Sequence, residues 1–289
     1  MKAIAFAPGH ISGFFEPIYY NMDYARSGSR GAGINLSLGA ISQVVVEKSD
    51  HQYIDIIVND KNSNALVTKR AIQHLIGNIP MTISISTNLD LPLRQGFGMS
   101  AAGTLSSCLA LAKILQIPKE DAIKASHIAE VESRTGLGDV IASSFGGIEL
   151  RREAGLPPWG SIEHIPGFFN IVLCVIGKEI DTSKILADTD KIESIGSYGK
   201  YCIKKLIERP SIENLFYLSN LFTNKTGLAD EKVLEAIENA NNYGMASMCM
   251  LGNSVFSVGD TDLLCNILSK FGTVYICPID RFGAQVINE

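Results

Sequence analysis

The stretch of sequence that most constrains the fold is LPLRQGFGMSAAGTLSS, from Leu91 to Ser107, which places a glycine-rich loop directly before a long apolar helix. A helix N-terminus carries unpaired backbone N–H groups and a partial positive charge. Glycines ahead of it let the backbone wrap closely around an anion, because no Cβ obstructs the approach. Gly96, Gly98 and Gly103, with the Ser100 hydroxyl, therefore predict a phosphate cradle. The alternative, a plain connection whose helix is capped by Ser100, fits the pattern equally well.

The composition excludes several classes of protein. The chain has 289 residues with a net charge of −5, and Lys and Arg form no run, so nucleic acid and anionic membranes are not expected as partners. The apolar run from Phe168 to Ile176 is too short to span a bilayer, and Pro8 and Gly9 leave no room for a signal peptide. The six cysteines form no CxxC pair, which is typical of reduced, buried thiols. We therefore expect a cytoplasmic globular protein.

Hydrophobic periodicity predicts strands and helices that mix without a steady alternation. Strands are predicted at Lys2–Phe6, Gly33–Leu38, Ile41–Glu47, Gln52–Val58 and Met81–Ser86, and in the segments FNIVLCVIG, NSVFSV and TVYICPI. Helices are predicted near Asn64–Ile76, from the glycine-rich loop to about Leu115, after Pro118, three or four times between Ser183 and Tyr243, and at Thr261–Phe271. This mixture favours an α+β fold with two lobes over a doubly wound parallel sheet.

Two stretches of turn residues add detail to this organisation. The KSDH stretch predicts a hairpin between Ile41–Glu47 and Gln52–Val58. The segment GLPPWG, Gly155–Gly160, is the strongest punctuation in the chain. It predicts a boundary between one domain of residues 1–157, which holds the phosphate-binding loop, and a second domain of residues 158–289.

Two further segments accompany the glycine-rich loop. PGHISGFFE, Pro8–Glu16, is expected to end the first strand in a turn, and TGLGDVIASSFGG, Thr135–Gly147, is a second glycine-rich loop with one carboxylate, Asp139. From Pro92 onward the first loop follows the pattern P-x-x-x-G-x-G-x-S-[AS]-A. The three segments together resemble the active-site regions of the GHMP superfamily, which contains galactokinase, homoserine kinase, mevalonate kinase and phosphomevalonate kinase. One departure is the third motif near the C-terminus, which usually has several glycines and here keeps only Gly252.

The resemblance implies a fold, cofactors and nucleotide-binding residues. It implies the α+β GHMP-kinase fold, with an N-terminal lobe like domain 2 of ribosomal protein S5 and a ferredoxin-like C-terminal lobe. ATP and Mg²⁺ are the implied cofactors, and a homodimer is the implied assembly. The residues implied to bind the nucleotide and its phosphates are Pro92, Gly96, Phe97, Gly98, Met99, Ser100, Ala101 and Ala102.

The helix from Lys119 to Arg134 has a polar face. At about 100° per residue, His127, Glu130 and Arg134 fall within a sector of roughly 60°. The pattern by itself fits a solvated face with a Glu–Arg pair at least as well as it fits the lining of a cleft. The resemblance implies that Glu130 is a catalytic, magnesium-binding glutamate and that the Ser100 hydroxyl contacts the same ion. Glu132 is a rival, but it points about 160° away from Glu130.

Asp139 lies between a glycine and an apolar turn. One interpretation makes it the N-cap of a helix over VIASS, which is a common use of aspartate. The resemblance implies instead that Asp139 is the catalytic base, which takes or orients the proton of the attacking hydroxyl. Phosphoryl transfer depends mainly on positioning and charge neutralisation, so a carboxylate, a magnesium ion and a helix N-terminus suffice for it.

The phosphoryl acceptor that the resemblance implies is a small hydroxy acid, whose carboxylate needs basic or hydroxyl partners. The candidates are Ser29, Arg30, His127, Arg151 and Thr182, with His10 and Ser12 at the same cleft as weaker ones. Each has a structural alternative, such as a turn, an N-cap or a solvated strand. Alternation along IELRR places Arg151 and Arg152 on opposite faces, so only one of them is expected in the site.

The resemblance leaves more than one function open. Homoserine kinase and shikimate kinase are alternatives within the class of small-molecule kinases. The alternative from another class is a non-catalytic nucleotide-binding protein that keeps the loop but not the chemistry. The presence of both Glu130 and Asp139 favours an enzyme.

Overall fold

The structure is a computed structural model that describes residues 1–180, 185 and 188–288. Within these residues the strands are β1 (Lys2–Ile18), β2 (Gly28–Lys48), β3 (Tyr53–Val58), β4 (Lys61–Asn62), β5 (Met81–Leu89), β6 (Ile148–Glu153), β7 (Ser161–Ile165), β8 (Asn170–Val175), β9 (Gly244–Met248), β10 (Ser254–Gly259), β11 (Thr273–Pro278) and β12 (Gln285–Asn288). The helices are α1 (Leu66–Ile76), α2 (Met99–Leu115), α3 (Lys119–Ser133), α4 (Asp139–Phe145), α5 (Thr189–Glu208), α6 (Ile212–Thr226), α7 (Glu231–Ala240) and α8 (Thr261–Leu268).

The first sheet is built around the long antiparallel pair of β1 and β2. Its strand order is β12-β1-β2-β5-β3-β4, with β6 paired to β2 and β7 paired to β6. The first part of β2, Gly31–Ile34, pairs with β6, and the last part, Ala40–Lys48, pairs with β5. β2 therefore lies between β1 on one side and β6 and β5 on the other, so a single strand separates the residues of β1 from those of β6.

The two long strands correct the prediction of several short ones. Pro8–Glu16 is not the expected turn, because β1 continues to Ile18 through bulges at Pro8/Gly9 and Ser12/Phe14. The segments predicted as separate strands at Gly33–Leu38 and Ile41–Glu47 are parts of β2. A bulge absorbs proline, glycine and small polar residues without ending the pairing, whereas in sequence the same residues indicate a turn.

The hairpin predicted across KSDH is wrong. β3 pairs in parallel with β5, with Ile54 opposite Ile83, and β5 is the strand that lies beside the end of β2. A parallel pair requires a crossover connection, and β4 and α1 supply it. The alternation predicted for MTISIS is confirmed, because Met81, Ile83 and Ile85 are buried.

The second sheet has the order β11-β8-β10-β9 and is antiparallel. The segment Gly155–Gly160 does not separate the two sheets, since it connects β6 with β7, which pair with each other in the first sheet. The C-terminal strand β12 also returns to the first sheet, beside β1. We therefore propose that the two lobes divide after Ile165, with β12 belonging to the first lobe, instead of at residues 157 and 158.

Helix α2 is the centre of the first lobe. Nearly every residue from Met99 to Ala112 is buried, and the helix packs on β1, β2 and α3. A helix that is buried all round needs small residues on several faces, and Ala, Gly and Ser supply them here. Its first turn is thereby held rigidly against the two long strands. None of the helices in the described part of the chain is long and apolar enough to cross a membrane.

Candidate active site

A cavity of about 390 Å³ opens between the start of α2, the two long strands and the loop before α4. The segments that line it are Ser12 and Phe15 of β1, Ser29 of β2, Ala65 and Val67 at the start of α1, Leu93, Arg94 and Gly96–Ser100, Thr135–Asp139, and Met250 and Leu251. Both glycine-rich loops of the sequence therefore meet at one cavity.

The first glycine-rich loop presents the N-terminus of α2 to this cavity. The N-cap residue is Gly98, at φ 62°, and in the described part of the chain no side chain caps this helix. The first N–H groups of a helix have no partner inside the helix. The alternative in which Ser100 caps the helix is wrong, because Ser100 lies in the first turn. The N–H of Ala102 already donates to the carbonyl of Gly98 at 2.9 Å, so it is not available to a ligand.

The loop is held from both sides by backbone contacts. Gly96 has φ +76°, and a Cβ added to it would lie 2.8 Å from the carbonyl oxygens of Cys249 and Met250. Gly252 lies against the backbone of Gln95, where a Cβ would come within 2.1 Å. The single glycine of the third motif thus lets the second sheet support the phosphate loop. On the other side, the N–H of His10 donates to the carbonyl of Phe97 at 2.9 Å.

The remaining residues predicted in this loop contribute in different ways. Phe97 and Met99 line the cavity although their side chains are largely buried. The side chains of Ala101 and Ala102 are buried in the core and keep α2 close to its neighbours. Pro92 lies just before the loop and is not part of the lining.

Glu130 lies directly behind the start of α2. Its carboxylate accepts hydrogen bonds from the hydroxyls of Ser100 (2.7 Å) and Thr135 (2.9 Å). Burial raises the pKa of Glu130 to about 7, although the two hydroxyls act against this rise. Glu132 lies on the other side of the helix, where it contacts His74 at 2.9 Å. The structure therefore places Glu130, and not Glu132, directly behind Ser100 and Thr135, two residues that line the cavity.

Asp139 is the first residue of α4, and its side chain keeps 27% of its surface exposed, toward the cavity that it lines. It is not an N-cap, because the N-cap position is Gly138. Its Oδ1 lies 2.7 Å from Nδ1 of the fully buried His10. Burial favours a raised pKa for Asp139, but the hydrogen bond from His10 and the charges of His10 and Arg151 outweigh it and lower the pKa.

Glu149 is the residue that the sequence analysis missed. It is fully buried on β6, and its Oε1 lies 2.8 Å from Nε2 of His10 and also accepts from the guanidinium of Arg151. Burial favours a lowered pKa for His10, but the hydrogen bonds to Asp139 and Glu149 and their charges outweigh it and raise the pKa. The alternation along IELRR already placed Glu149 on the same face as Arg151, so the signal was present in the sequence.

The two arginines of β6 lie on opposite faces, as predicted. Arg151 is 2% exposed, and its guanidinium contacts the Ser12 hydroxyl (3.3 Å) and the carbonyl oxygen of Ser29 (3.3 Å). Arg152 points outward and pairs with Glu163 at 2.6 Å. Arg151 thus stands behind Ser12 and Ser29, both of which line the cavity, and is not itself part of the lining.

The other acceptor candidates are divided by the structure. His127 is buried, its Nε2–H donates to the carbonyl of Ser27 (2.9 Å), and burial lowers its pKa to about 4. It therefore supports the start of β2 and is not part of the cavity lining. Arg30 faces away and contacts Glu16 and the Arg152 carbonyl. Thr182 lies outside the described residues.

Serines 27 and 29 are also distinguished. The Ser27 hydroxyl donates to the carbonyl of Asp23 (2.8 Å) and fixes the loop before β2, while Ser29 lines the cavity. In the described part of the chain, no group of three or more His, Cys, Asp or Glu side chains could hold a metal by itself. A metal at this site would need oxygen ligands from a hydroxyl or from a substrate.

Comparisons with known proteins agree with this geometry. The family model described as "GHMP kinases N terminal domain" matches residues 65–147. The pantoate kinase of Methanocaldococcus jannaschii is 34% identical, over 95% of this chain and 99% of that protein. The pantoate kinase of Methanospirillum hungatei is 31% identical, over 99% of this chain and 96% of that protein.

Solved structures share the whole fold. One described as a phosphotransferase related to the CoA biosynthesis pathway superposes with a TM-score of 0.90 at 27% identity, over 99% of both chains. Homoserine kinase from Cytophaga hutchinsonii superposes with a TM-score of 0.72 at 16% identity, over 99% of this chain and 97% of that one. The predicted two-lobe α+β GHMP-kinase fold is thus confirmed.

The loop geometry generates a prediction about Gly96. In Gly96→Ala the new methyl group meets two carbonyl oxygens, and a left-handed backbone costs a non-glycine residue about 1–2 kcal/mol. The loop must move, so we expect the KM for a nucleoside triphosphate to rise about tenfold or more. Steady-state kinetics at varied nucleotide concentration measure this.

Gly77→Ala is the matched control. Gly77 has a similar φ of +60°, but no atom lies within 4 Å of an added Cβ. Gly77→Ala has the energetic cost of a positive φ but no steric contact with neighbouring atoms. Its KM for the nucleoside triphosphate should stay at the wild-type value. Equal defects in the two variants would contradict the proposed packing of the loop.

Proposed function

Since the chain belongs to the pantoate kinase family, within the GHMP kinases, we propose that its cavity holds ATP and (R)-pantoate with the γ-phosphate next to the 4-hydroxyl. The chain is an ATP-dependent small-molecule kinase that converts (R)-pantoate to (R)-4-phosphopantoate in coenzyme A biosynthesis. Four segments of the sequence, APGHISGFFEP, GSRGAGINLSLG, HIAEVES-TGLGDV and ASMCMLGNSVF, independently predict an archaeal pantoate kinase by resemblance.

The observation that carries the proposal is the meeting of two features at one cavity. The N-terminus of α2 offers N–H donors for phosphate, and the Asp139 carboxylate lines the same cavity. Phosphoryl transfer needs the acceptor oxygen in line with the γ-phosphate and needs the developing charge to be stabilised. A carboxylate beside the acceptor aligns the acceptor oxygen, and the helix N-terminus stabilises the developing charge.

The residues around Ser100 fit a magnesium ion. Ser100 and Glu130 supply a hydroxyl and a carboxylate that lie 2.7 Å apart. Mg²⁺ prefers oxygen ligands, and it usually takes one or two from the protein and the rest from phosphates and water. We propose that these two residues hold the ion, which when bound neutralises charge on the phosphates.

Asp139 is suited to receive the proton of the acceptor hydroxyl. Its Oδ1 is occupied by His10, which leaves Oδ2 for the substrate. The lowered pKa keeps the carboxylate ionised at neutral pH, so it accepts a hydrogen bond and orients the hydroxyl for attack. The proton moves to Oδ2 as the hydroxyl oxygen forms its bond to the γ-phosphorus and the bond from that phosphorus to the bridging oxygen of ADP breaks, with ADP as the leaving group.

The carboxylate of pantoate is proposed to lie at Ser12 and Ser29. Both hydroxyls line the cavity, and the Arg151 guanidinium stands directly behind them. His127 and Arg30, expected as direct contacts from the sequence, are assigned supporting roles instead. The homodimer and the cytoplasmic location expected from the sequence are also proposals, and light scattering of the purified chain tests the first.

Substrate specificity is tested by ADP release with pantoate, homoserine, shikimate, mevalonate and pantothenate offered separately. We expect turnover on pantoate with little on the others. All five compounds carry a hydroxyl and a carboxylate, so discrimination depends on whether the spacing of the two groups lets the hydroxyl reach Asp139 while the carboxylate lies at the two serines. Turnover on homoserine and none on pantoate would make homoserine the acceptor, and the chain would remain a small-molecule kinase. Nucleotide binding without any turnover would support the non-catalytic alternative.

Glu130→Gln tests the magnesium assignment. The substitution keeps the hydrogen-bonding shape but removes the charge that would hold the ion. We expect kcat to fall at least about a hundredfold, as on loss of one strong electrostatic contact in other enzymes, with at best partial recovery at high magnesium. Glu132→Gln, two residues away and outside the cavity, should keep wild-type turnover. A mild defect in Glu130→Gln would remove the assignment.

Arg151→Ala tests the acceptor end. Arg151 supports the two serines proposed to bind the carboxylate and supplies the positive charge behind them. Charge-assisted hydrogen bonding contributes about 1.5–3 kcal/mol, so the KM for pantoate should rise by up to roughly ten- to hundredfold while that for ATP changes little. Arg152→Ala is the control, because Arg152 leaves the same strand on its outer face. Equal effects from the two arginines, or an Arg151 defect confined to ATP, would show that the acceptor lies elsewhere.

A further inference from the structure

Four charged side chains form one connected cluster beneath the cavity. His10 of β1 contacts Asp139 of α4 and Glu149 of β6, and Arg151 of β6 contacts Glu149. Glu149 and His10 have no exposed surface, and Arg151 has 2%. Only Asp139 of the four reaches the cavity. Glu149 lies behind it and does not line the cavity, so any influence it has on the reaction passes through His10 and Arg151.

The hydrogen-bond arithmetic fixes the state of His10. An ionised carboxylate only accepts hydrogen bonds, and a neutral imidazole donates from one nitrogen alone. His10 has a carboxylate at each ring nitrogen, at 2.7 Å and 2.8 Å. Both contacts are satisfied together when the ring is an imidazolium that donates from Nδ1 to Asp139 and from Nε2 to Glu149.

The position of Arg151 agrees with this assignment. Its Nη1 lies 3.4 Å from Nε2 of His10, which is the spacing of two donors that share one acceptor, Oε1 of Glu149. With His10 and Arg151 positive and Asp139 and Glu149 negative, the buried cluster has no net charge. Buried charges are tolerated when they are paired in this way.

We propose that Glu149 is a positioning residue for phosphoryl transfer: it holds His10 as an imidazolium, so that His10 keeps Asp139 ionised and fixes the direction of its free oxygen. The inference rests on the proposed role of Asp139 as the proton acceptor. Other charged groups near the cluster are few in the described part of the chain, with Glu130 of α3 facing Asp139. The direction of the His10 and Asp139 pKa shifts is the one this arrangement requires.

The backbone leaves room for this contact. Gly33 of β2 lies between the two side chains, and a Cβ there would be 2.4 Å from Nε2 of His10 and 2.9 Å from Oε1 of Glu149. Gly138 leaves room for the Arg151 side chain, because a Cβ added at Gly138 would lie 2.7 Å from Nε of Arg151. Gly33 on β2 and Gly138 before α4 therefore leave the space in which the four side chains meet.

Glu149→Gln is the first test. The substitution keeps the shape of the side chain but removes its charge. The pKa of His10 therefore falls, so His10 loses its proton at a lower pH than in the wild-type chain. Above that pH, Asp139 lacks the positive charge of His10. We expect kcat to fall at least about tenfold, a part of the 10²–10⁴ that a general base contributes, with the KM values for ATP and pantoate little changed. The limb of the kcat profile at which His10 loses its proton should move to lower pH by about one unit, since one nearby opposite charge shifts a pKa by about that much or more.

Matched variants separate positioning from a merely structural role. Glu163→Gln makes the same change on the neighbouring strand β7, where Glu163 is exposed, and should leave the profile unmoved. Glu149→Asp restores the charge and should recover part of kcat and return the His10 limb part of the way to its wild-type pH. A Glu149→Gln profile that matches wild type, or a Glu163→Gln profile that shifts as far, would overturn the inference.

NMR of the imidazole nitrogens of the wild-type chain provides a second readout that does not depend on any Glu149 variant folding. The His10 signals, identified by their loss in His10→Gln, should remain those of an imidazolium well above the ordinary histidine pKa of about 6.5. A neutral His10 at pH 7, accepting from a protonated Glu149, would overturn the inference. Asp139→Asn separates this result from the proposed function: full activity in that variant would remove the catalytic role of Asp139, while the NMR readout still decides the state of His10.

Discussion

The contact on which the rest of the site depends is the one between His10 and Asp139, which joins the middle of β1 to the start of α4. The same short part of β1 binds the other two walls of the cavity. The N–H of His10 fixes the phosphate loop at Phe97, and the carbonyl of Ser12 accepts from the N–H of Met250 in the second lobe. The bulges of β1 on either side of these residues allow one strand to face three partners.

Hydrophobic periodicity predicted the regular helices and strands, but it failed where strand pairing between distant segments decides the structure. Met81–Leu89 and the helix to Leu115 were predictable, because their alternation and apolar runs are strong. The continuation of β1 beyond Phe6 was not, since a bulge and a turn use the same residues. The parallel partner of Tyr53–Val58 could not be read from KSDH either, because strand order depends on contacts distant in the sequence.

The candidate site was predicted where a motif fixes backbone geometry, as at Gly96 and Ser100. It was less predictable where function depends on burial. His127 and His10 are both buried histidines, but their partners differ. His127 donates to a backbone carbonyl, whereas His10 lies between two carboxylates. Glu149 was missed because a glutamate in a strand does not by itself indicate which side chains it will contact. Its register with Arg151 was the one available clue, and it was used only to separate Arg151 from Arg152.

The charge balance of the buried cluster explains why four ionisable groups stand where an apolar core would pack as well. Buried ion pairs add little stability, since desolvation offsets their attraction. Beside the proposed site for a polyanionic nucleotide, however, an isolated Asp139 together with Glu130 would repel the phosphates that a helix N-terminus attracts. The positive charges of His10 and Arg151 cancel those of Asp139 and Glu149. In the proposed mechanism Asp139 therefore remains an anion able to take a proton, while the cluster as a whole places no net negative charge against the proposed substrate site.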